Sequence, residues 1–200
     1  MKKLIYLISP KKIYSNFYDD LTKVLAFRNV KFFQLRLKKT KKIKIIKIAK
    51  KIRKITKKYK IKFIINDNPN IAKITNADGC HLGQNDYSVI EAKKYLKKKI
   101  IGITCHNSKT LAMIAVQDKA NYLAFGSFNK SKLKPGAKKA KLNILKWAKK
   151  NIKKPIVAIG GINDSNYKKI IKSGAKYIAI SSFIWDNPKL KPETAIKKFK

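Results

Sequence analysis

Residues 156–182 read IVAIGGINDSNYKKIIKSGAKYIAISS, and this stretch decides the fold. It opens on four apolar residues, Ile156 to Ile159, without the polar alternation of a half-solvated strand. Such a run suits a strand buried on both faces. Gly160-Gly161 then turns the chain, and residues 165–172 carry a helical pattern. Ser173-Gly174 stops that helix with glycine at the position where a left-handed residue is favoured. A second apolar strand follows over 177–181. The unit is strand, helix, parallel strand.

Read outward from it, the same alternation runs along the whole chain. Strands are predicted over 4–9, 30–37, 62–65, 79–82, 100–104, 122–125, 156–159 and 177–181. Helices are predicted over 15–27, 41–60, 70–75, 88–96, 109–118, 143–151 and 165–172, with an eighth near 193–198. Ser88 and Glu91 have the spacing of a capping box, and Pro69 sits where a first helical turn would begin. Eight alternating units imply an α/β fold, a single (β/α)8 TIM barrel of one domain over residues 1–200. The chain is short for that fold, so its loops must be brief. The long connection is 126–141, rich in Lys, Ser, Pro and Gly, and long loops of this kind often act as lids.

The formal net charge is +40, from 50 Lys and Arg against 10 Asp and Glu. A nucleic-acid partner is one reading of that number. Against it, arginine occurs only at Arg28, Arg36 and Arg53, and arginine is favoured for bidentate phosphate and base contacts. The lysines also follow helical periodicity. Between 41 and 60, Ile45, Ile48, Ala49, Ile52, Ile55 and Tyr59 form one apolar stripe, while Lys44, Lys47, Lys50, Lys51, Lys54, Lys57 and Lys58 fall elsewhere. This reads as a solvated face, so dedicated nucleic-acid binding is not expected. No apolar run is long enough to span a bilayer, so no membrane partner is expected either. The start imitates a signal peptide, but its apolar part is short and Pro10-Lys11-Lys12 follows; it reads as a first strand of a soluble cytoplasmic protein. Cys80 and Cys105 form neither a metal spacing nor a disulfide framework.

Active sites of such barrels lie at the carboxyl ends of the strands. Those ends carry Gln34, Arg36 and Lys38; Asn66 and Asp67; Gly83 to Asp86; Thr104 to His106; Lys130, Ser131 and Lys134; Gly160 and Gly161; and Ser181 and Ser182. Asp67 and Asp86 follow adjacent strands, and two carboxylates plus substrate phosphates are a usual way to hold Mg²⁺. Each also stands beside a helix start, where Asp is common for capping. Neighbouring lysines favour a polyanionic ligand such as diphosphate. Gly160-Gly161 with Ser181-Ser182 suits the phosphate site usual after the seventh and eighth strands, although paired glycines also make plain tight turns. His106 is a candidate acid or base, His81 reads as a satisfied core histidine, and Cys105 as packing.

These motifs, taken in order, carry a resemblance. Gln34-Leu35-Arg36-x-Lys38, Ile65-Asn66-Asp67, Asp78-Gly79-x-His81-Leu82-Gly83-Gln84-x-Asp86, Gly102-x-Thr104-x-His106 and Ala158-Ile159-Gly160-Gly161-Ile162 resemble thiamine-phosphate synthase over the whole chain. The resemblance implies a transferase joining 4-amino-2-methyl-5-hydroxymethylpyrimidine diphosphate to a thiazole phosphate, with release of diphosphate. It implies Mg²⁺ on Asp67 and Asp86, and the pyrimidine diphosphate on Gln34, Arg36, Lys38 and Asn66. Arg36, Lys38, Thr104 and Lys134 become the catalytic set, with Thr104 at a place usually taken by Ser. Ser131, Gly161, Ser181 and Ser182 would surround the thiazole phosphate. A homo-oligomer is compatible with the chain. Two departures stand out: Leu37 where many members have Glu, and Leu133 in a loop that usually carries a hydroxyl residue there. A related thiazole tautomerase, with a histidine at the His106 position, is the rival of the same fold, and retention of both Asp67 and Asp86 argues against it.

Overall fold

The computed structural model describes residues 4–129 and 139–200. Eight parallel strands close into one barrel in sequence order. They are β1 (Ile5–Ile8), β2 (Val30–Leu35), β3 (Lys62–Asn66), β4 (Gly79–Leu82), β5 (Ile100–His106), β6 (Tyr122–Phe125), β7 (Ile156–Ile159) and β8 (Tyr177–Ile180). The helices are α1 (Phe17–Ala26), α2 (Lys42–Lys58), α3 (Pro69–Ile74), α4 (Val89–Leu96), α5 (Lys109–Gln117), α6 (Asn143–Asn151), α7 (Tyr167–Lys172), α8 (Ser182–Trp185) and α9 (Pro192–Ala195). Closure comes from β1 against β8, with Ile5 opposite Ile178 and Leu7 opposite Ile180.

The uninterrupted apolar strands have a direct cause, because each strand is buried twice. Ile5 and Leu7 of β1 face the surrounding helices, in a layer shared with Leu21, Val24 and Phe33. Tyr6 and Ile8 face the interior, with Phe32, Ile64, Tyr122, Val157 and Tyr177. Aromatic rings fill that interior: Tyr6 stacks on Phe32 at 5.2 Å, and Phe32 meets Tyr177 edge-on at 5.3 Å. The barrel is therefore packed through its middle, and a cavity opens at its mouth.

Helix α2 shows how the charge is disposed. Ile48, Ala49, Ile52 and Thr56 are buried against the barrel, and Lys44, Lys47, Lys50, Lys51, Lys54, Lys57 and Lys58 are exposed. Its first turn has no acidic residue to offset the helix dipole, so the helix depends on its buried face. Helix α4 carries the full capping box of Ser88 and Glu91, and Pro69 stands in the first turn of α3.

Most element ends shift by a residue or two from the sequence reading, and three shifts bear on the site. Strand β5 continues to His106, whereas β2 ends at Leu35. Ser182 begins the short helix α8 instead of ending a strand. The last change has a tertiary cause: the Trp185 indole Nε1 donates to the Ile8 carbonyl at 2.6 Å and ties α8 to the end of β1. Among the described residues, no helix is long and apolar enough to cross a membrane.

Candidate active site at the carboxyl ends of the strands

The mouth of the barrel holds a solvent-open cavity of ≈ 380 Å³. Gln34, Arg36, Lys38, Asn66, Asp67, Asp86, Thr104, Gly161, Ser181 and Ser182 all line it. The fold thus brings together every site residue read from the sequence that falls among the described residues. Ser131 and Lys134 lie outside them. The cavity wall also includes His81, His106, Gly126 and Ser127.

On one side stands the acid pair. Asn68, not Asp67, caps α3, its side chain accepting from the Ile71 N–H at 2.9 Å. Ser88, not Asp86, caps α4. Neither carboxylate is needed for capping, so both can serve the cavity. Asp67 is held at φ +64, in the left-handed region, with its N–H donating to the His81 carbonyl at 2.7 Å. Asp tolerates that conformation better than most residues, and such backbone strain tends to collect at functional sites. The Asp86 carboxylate turns back to accept from the Gly83 N–H at 2.8 Å. Lys38 donates to Asp67 in an ion pair. Burial and the neighbouring Asp86 push the Asp67 carboxyl up, while Lys38 pulls it the other way. The two adjoining carboxylates form an oxygen-only donor set, and this fits a hard divalent cation such as Mg²⁺. Among the described residues no third His, Cys, Asp or Glu joins them in a metal cluster. Waters and substrate oxygens would complete the shell.

Arg36 sits beside this pair with its backbone fixed, since its N–H donates to Ser9 Oγ at 2.9 Å. Among the described residues no carboxylate pairs with its guanidinium, which leaves that charge for an anion in the cavity.

The floor of the cavity is a chain of buried polar groups. Gln34 Nε2 donates to the Tyr6 hydroxyl at 3.2 Å, and Tyr6 and Tyr122 join their hydroxyls at 2.7 Å. Tyr122 meets His81 Nδ1 at 2.9 Å, and His81 Nε2 meets Thr104 Oγ1 at 2.9 Å. Gln84 Nε2 then donates to the Thr104 carbonyl at 2.5 Å. Burial holds the His81 imidazole down to about 4 and raises both phenols. His81 is the satisfied buried histidine anticipated from its strand, and it also touches the cavity. The sequence reading left out Tyr6 and Tyr122. The available signal was a tyrosine at an inward position of a strand, whose hydroxyl must find a partner when buried.

The other side is built from close backbone approach. Gly160 has φ +107, and a Cβ there would lie 1.9 Å from Ser127 Oγ. Phe128 and Asn129 donate their N–H groups to the Ile159 and Gly160 carbonyls, folding the start of the long loop over the end of β7. Ser181 precedes α8 without capping it through its side chain, because its hydroxyl donates to the Ser9 carbonyl at 2.9 Å. A phosphate here would therefore be met by backbone N–H groups around Gly161, Ser181 and Ser182 more than by the Ser181 hydroxyl. His106 ends β5 at φ +52. Cys80 and Cys105 are buried thiols, and burial pushes Cys105 up to about 12. Both pack in the core, as the sequence reading had it for Cys105.

Comparison with known proteins agrees with this geometry. A family model described as thiamine monophosphate synthase matches residues 5–184. The thiamine-phosphate synthase of Pelagibacter ubique is 56% identical over 200 residues, covering 100% of this chain and 97% of that one. That of Erythrobacter litoralis is 38% identical over 186 residues, covering 90% and 87%. A thiamine phosphate pyrophosphorylase structure from Pyrococcus furiosus superposes with a TM-score of 0.87 at 27% identity, covering 98% of this chain and 93% of that one. A 3-hexulose-6-phosphate synthase structure, at 18% identity and TM-score 0.69, shares the fold alone. Sequence motif, barrel closure and full-length similarity thus converge, and the chain belongs to the thiamine monophosphate synthase family.

Proposed function

We propose that this cavity couples 4-amino-2-methyl-5-hydroxymethylpyrimidine diphosphate with a thiazole phosphate, giving thiamine phosphate and diphosphate. The observation that carries the reading is the acid pair. Asp67 and Asp86 are relieved of helix capping by Asn68 and Ser88, and they line the cavity with Lys38 and with Arg36, which pairs with no carboxylate among the described residues. A diphosphate needs that arrangement of cation-binding carboxylates and fixed positive charge. The setting is a cytoplasmic enzyme working on small molecules.

Arg36, Lys38 and Asn66 would grip the diphosphate; the resemblance adds Lys134 to that grip and Ser131 to the thiazole phosphate, both outside the described residues. Gln34 would orient the pyrimidine. Backbone groups at Gly161, Ser181 and Ser182 would hold the thiazole phosphate at the far side. Asp67 and Asp86 would hold Mg²⁺, which when bound neutralises charge on the diphosphate oxygens.

The bond that breaks joins the pyrimidine methylene carbon to a diphosphate oxygen, and its electron pair leaves with the oxygen. The bond that forms takes the lone pair of the thiazole nitrogen. Neither step requires a general base. The cavity's contribution is therefore to place the two ligands and to stabilise charge on the leaving group. Arg36 and Lys38 carry positive charge to that side.

The test is incubation with both phosphorylated substrates and Mg²⁺, with thiamine phosphate detected by chromatography. Product that forms only when Mg²⁺ and both substrates are present supports the reading. Absence of product from folded protein overturns it.

A further inference from the structure

The floor of the cavity fixes the position of protons as well as atoms. Gln34, Tyr6, Tyr122, His81 and Thr104 make four consecutive hydrogen bonds across the barrel interior. Gln34, Tyr6, Tyr122 and His81 are buried. Each hydroxyl owns one proton, and a neutral imidazole owns one N–H. The assignment therefore propagates from the end that is fixed.

That end is Gln34, which offers its amide nitrogen to Tyr6. Tyr6 accepts there, so its own proton goes to Tyr122. Tyr122 accepts from Tyr6, so its proton goes to His81 Nδ1. A doubly protonated His81 would point a second proton at Tyr122 and leave a buried phenol without an acceptor. His81 is thereby neutral, carries its hydrogen on Nε2, and donates to Thr104 Oγ1. The Thr104 hydroxyl then has its lone pair engaged by His81 and its hydrogen turned to the cavity it lines.

We propose that Gln34, Tyr6, Tyr122 and His81 form a one-way hydrogen-bond relay that holds His81 in the Nε2–H form and makes the Thr104 hydroxyl a donor to an anionic substrate oxygen. The opposite polarity would aim a lone pair at the same anion. Gly102 supports the arrangement. It faces Tyr122 across β5 and β6, and a Cβ there would lie 1.9 Å from Tyr122 Cζ. The side-chain-free position is what lets the ring reach both Tyr6 and His81. His81 and Tyr122 are positioning residues: they act on the substrate through Thr104. The identity of the anion as diphosphate rests on the function proposed above, whereas the relay's polarity does not.

The polarity can be read in the substrate-free protein. The chain has two histidines, His81 and His106, so a long-range ¹H–¹⁵N spectrum shows two imidazoles, and a His106→Asn protein identifies the one that matters. The expected result is a neutral His81 with Nε2 protonated and Nδ1 bare, unchanged from about pH 8 to about pH 6. A protonated Nδ1, in either the neutral or the charged ring, overturns the relay. This measurement uses no substrate, so its failure is distinct from failure of the coupling assay.

A kinetic cycle supplies the second test. Tyr122→Phe is expected to lower kcat by about three- to tenfold, with little change in KM, when Thr104 is present. In a Thr104→Val background the same change is expected to cost nothing further, because the group it orients is gone. Equal losses in both backgrounds overturn the claim that Tyr122 acts through Thr104.

Discussion

The ring of Tyr122 occupies the space that a side chain on Gly102 would need: the two residues are register partners on β5 and β6, and a Cβ on Gly102 would sit 1.9 Å from Tyr122 Cζ. The obstacle is a fully buried ring that also touches His81 and Phe32, so it has nowhere to retreat. Gly102→Ala is therefore expected to destabilise the protein by about 2–3 kcal/mol, read as a lower urea midpoint. Tyr122 should also be displaced from His81, so the kcat of the folded fraction should fall. A variant as stable as the parent would contradict the packing described.

Asp67→Asn and Asp86→Asn are each expected to lower Mg²⁺-dependent coupling by about a hundredfold or more. Stability should change by less than about 1 kcal/mol, because Asn68 and Ser88 supply the helix caps. Parallel assays of turnover and thermal unfolding check both halves. Full activity in both variants would remove the metal assignment.

Ser88→Ala is the complementary experiment. Its hydroxyl accepts from the Glu91 N–H at 3.1 Å, and the Glu91 carboxylate accepts from the Ser88 N–H at 2.7 Å. Loss of this box should cost about 1 kcal/mol of stability and leave turnover intact at moderate temperature. Chemical denaturation and a rate assay on the same preparation separate the two effects.

His106→Ala should keep coupling within about tenfold of the parent, since a true general acid or base contributes about 10²–10⁴-fold. The chemistry proposed requires no proton transfer at that position. Complete loss of coupling in a folded variant would favour the tautomerase mechanism, and steady-state rates decide the matter.

Burial holds His81 down to about 4 in the folded protein, below its ordinary value. Between about pH 6.5 and about pH 4 the unfolded chain binds this proton and the folded chain does not. Unfolding then takes up a proton, so the stability tied to neutral His81 is complete above that window and lost as pH falls through it. The full effect is about 3 kcal/mol. Denaturant melts of the parent and of His81→Asn across this range should show the gap between them narrowing toward acid pH.

Much of this protein was legible from local pattern. The two-sided burial of Ile5 to Ile8 and Ile156 to Ile159 marks parallel strands, and the 3.6-residue stripe of α2 marks an outer helix. Asp67 and Asp86 were visible as scarce acids at strand ends. Backbone geometry imposes these periods on any chain that folds this way, so they are written in neighbouring residues. The +40 charge was equally local in meaning, because the lysines of α2 lie on its outer face.

What tertiary structure alone decided is who partners whom inside the barrel. Tyr6 and Tyr122 are 116 positions apart, and His81 and Tyr122 are 41 apart, yet their polar atoms lie within 3 Å. No spacing rule connects them; closure of β1 against β8 and the register of Gly102 with Tyr122 do. The same closure turned the Ser181 hydroxyl inward to Ser9 and drew α8 onto β1 through Trp185. Buried polar groups must be paired, and in a closed barrel the partner is set by which strands the topology brings to the same layer, at a range that local sequence does not encode.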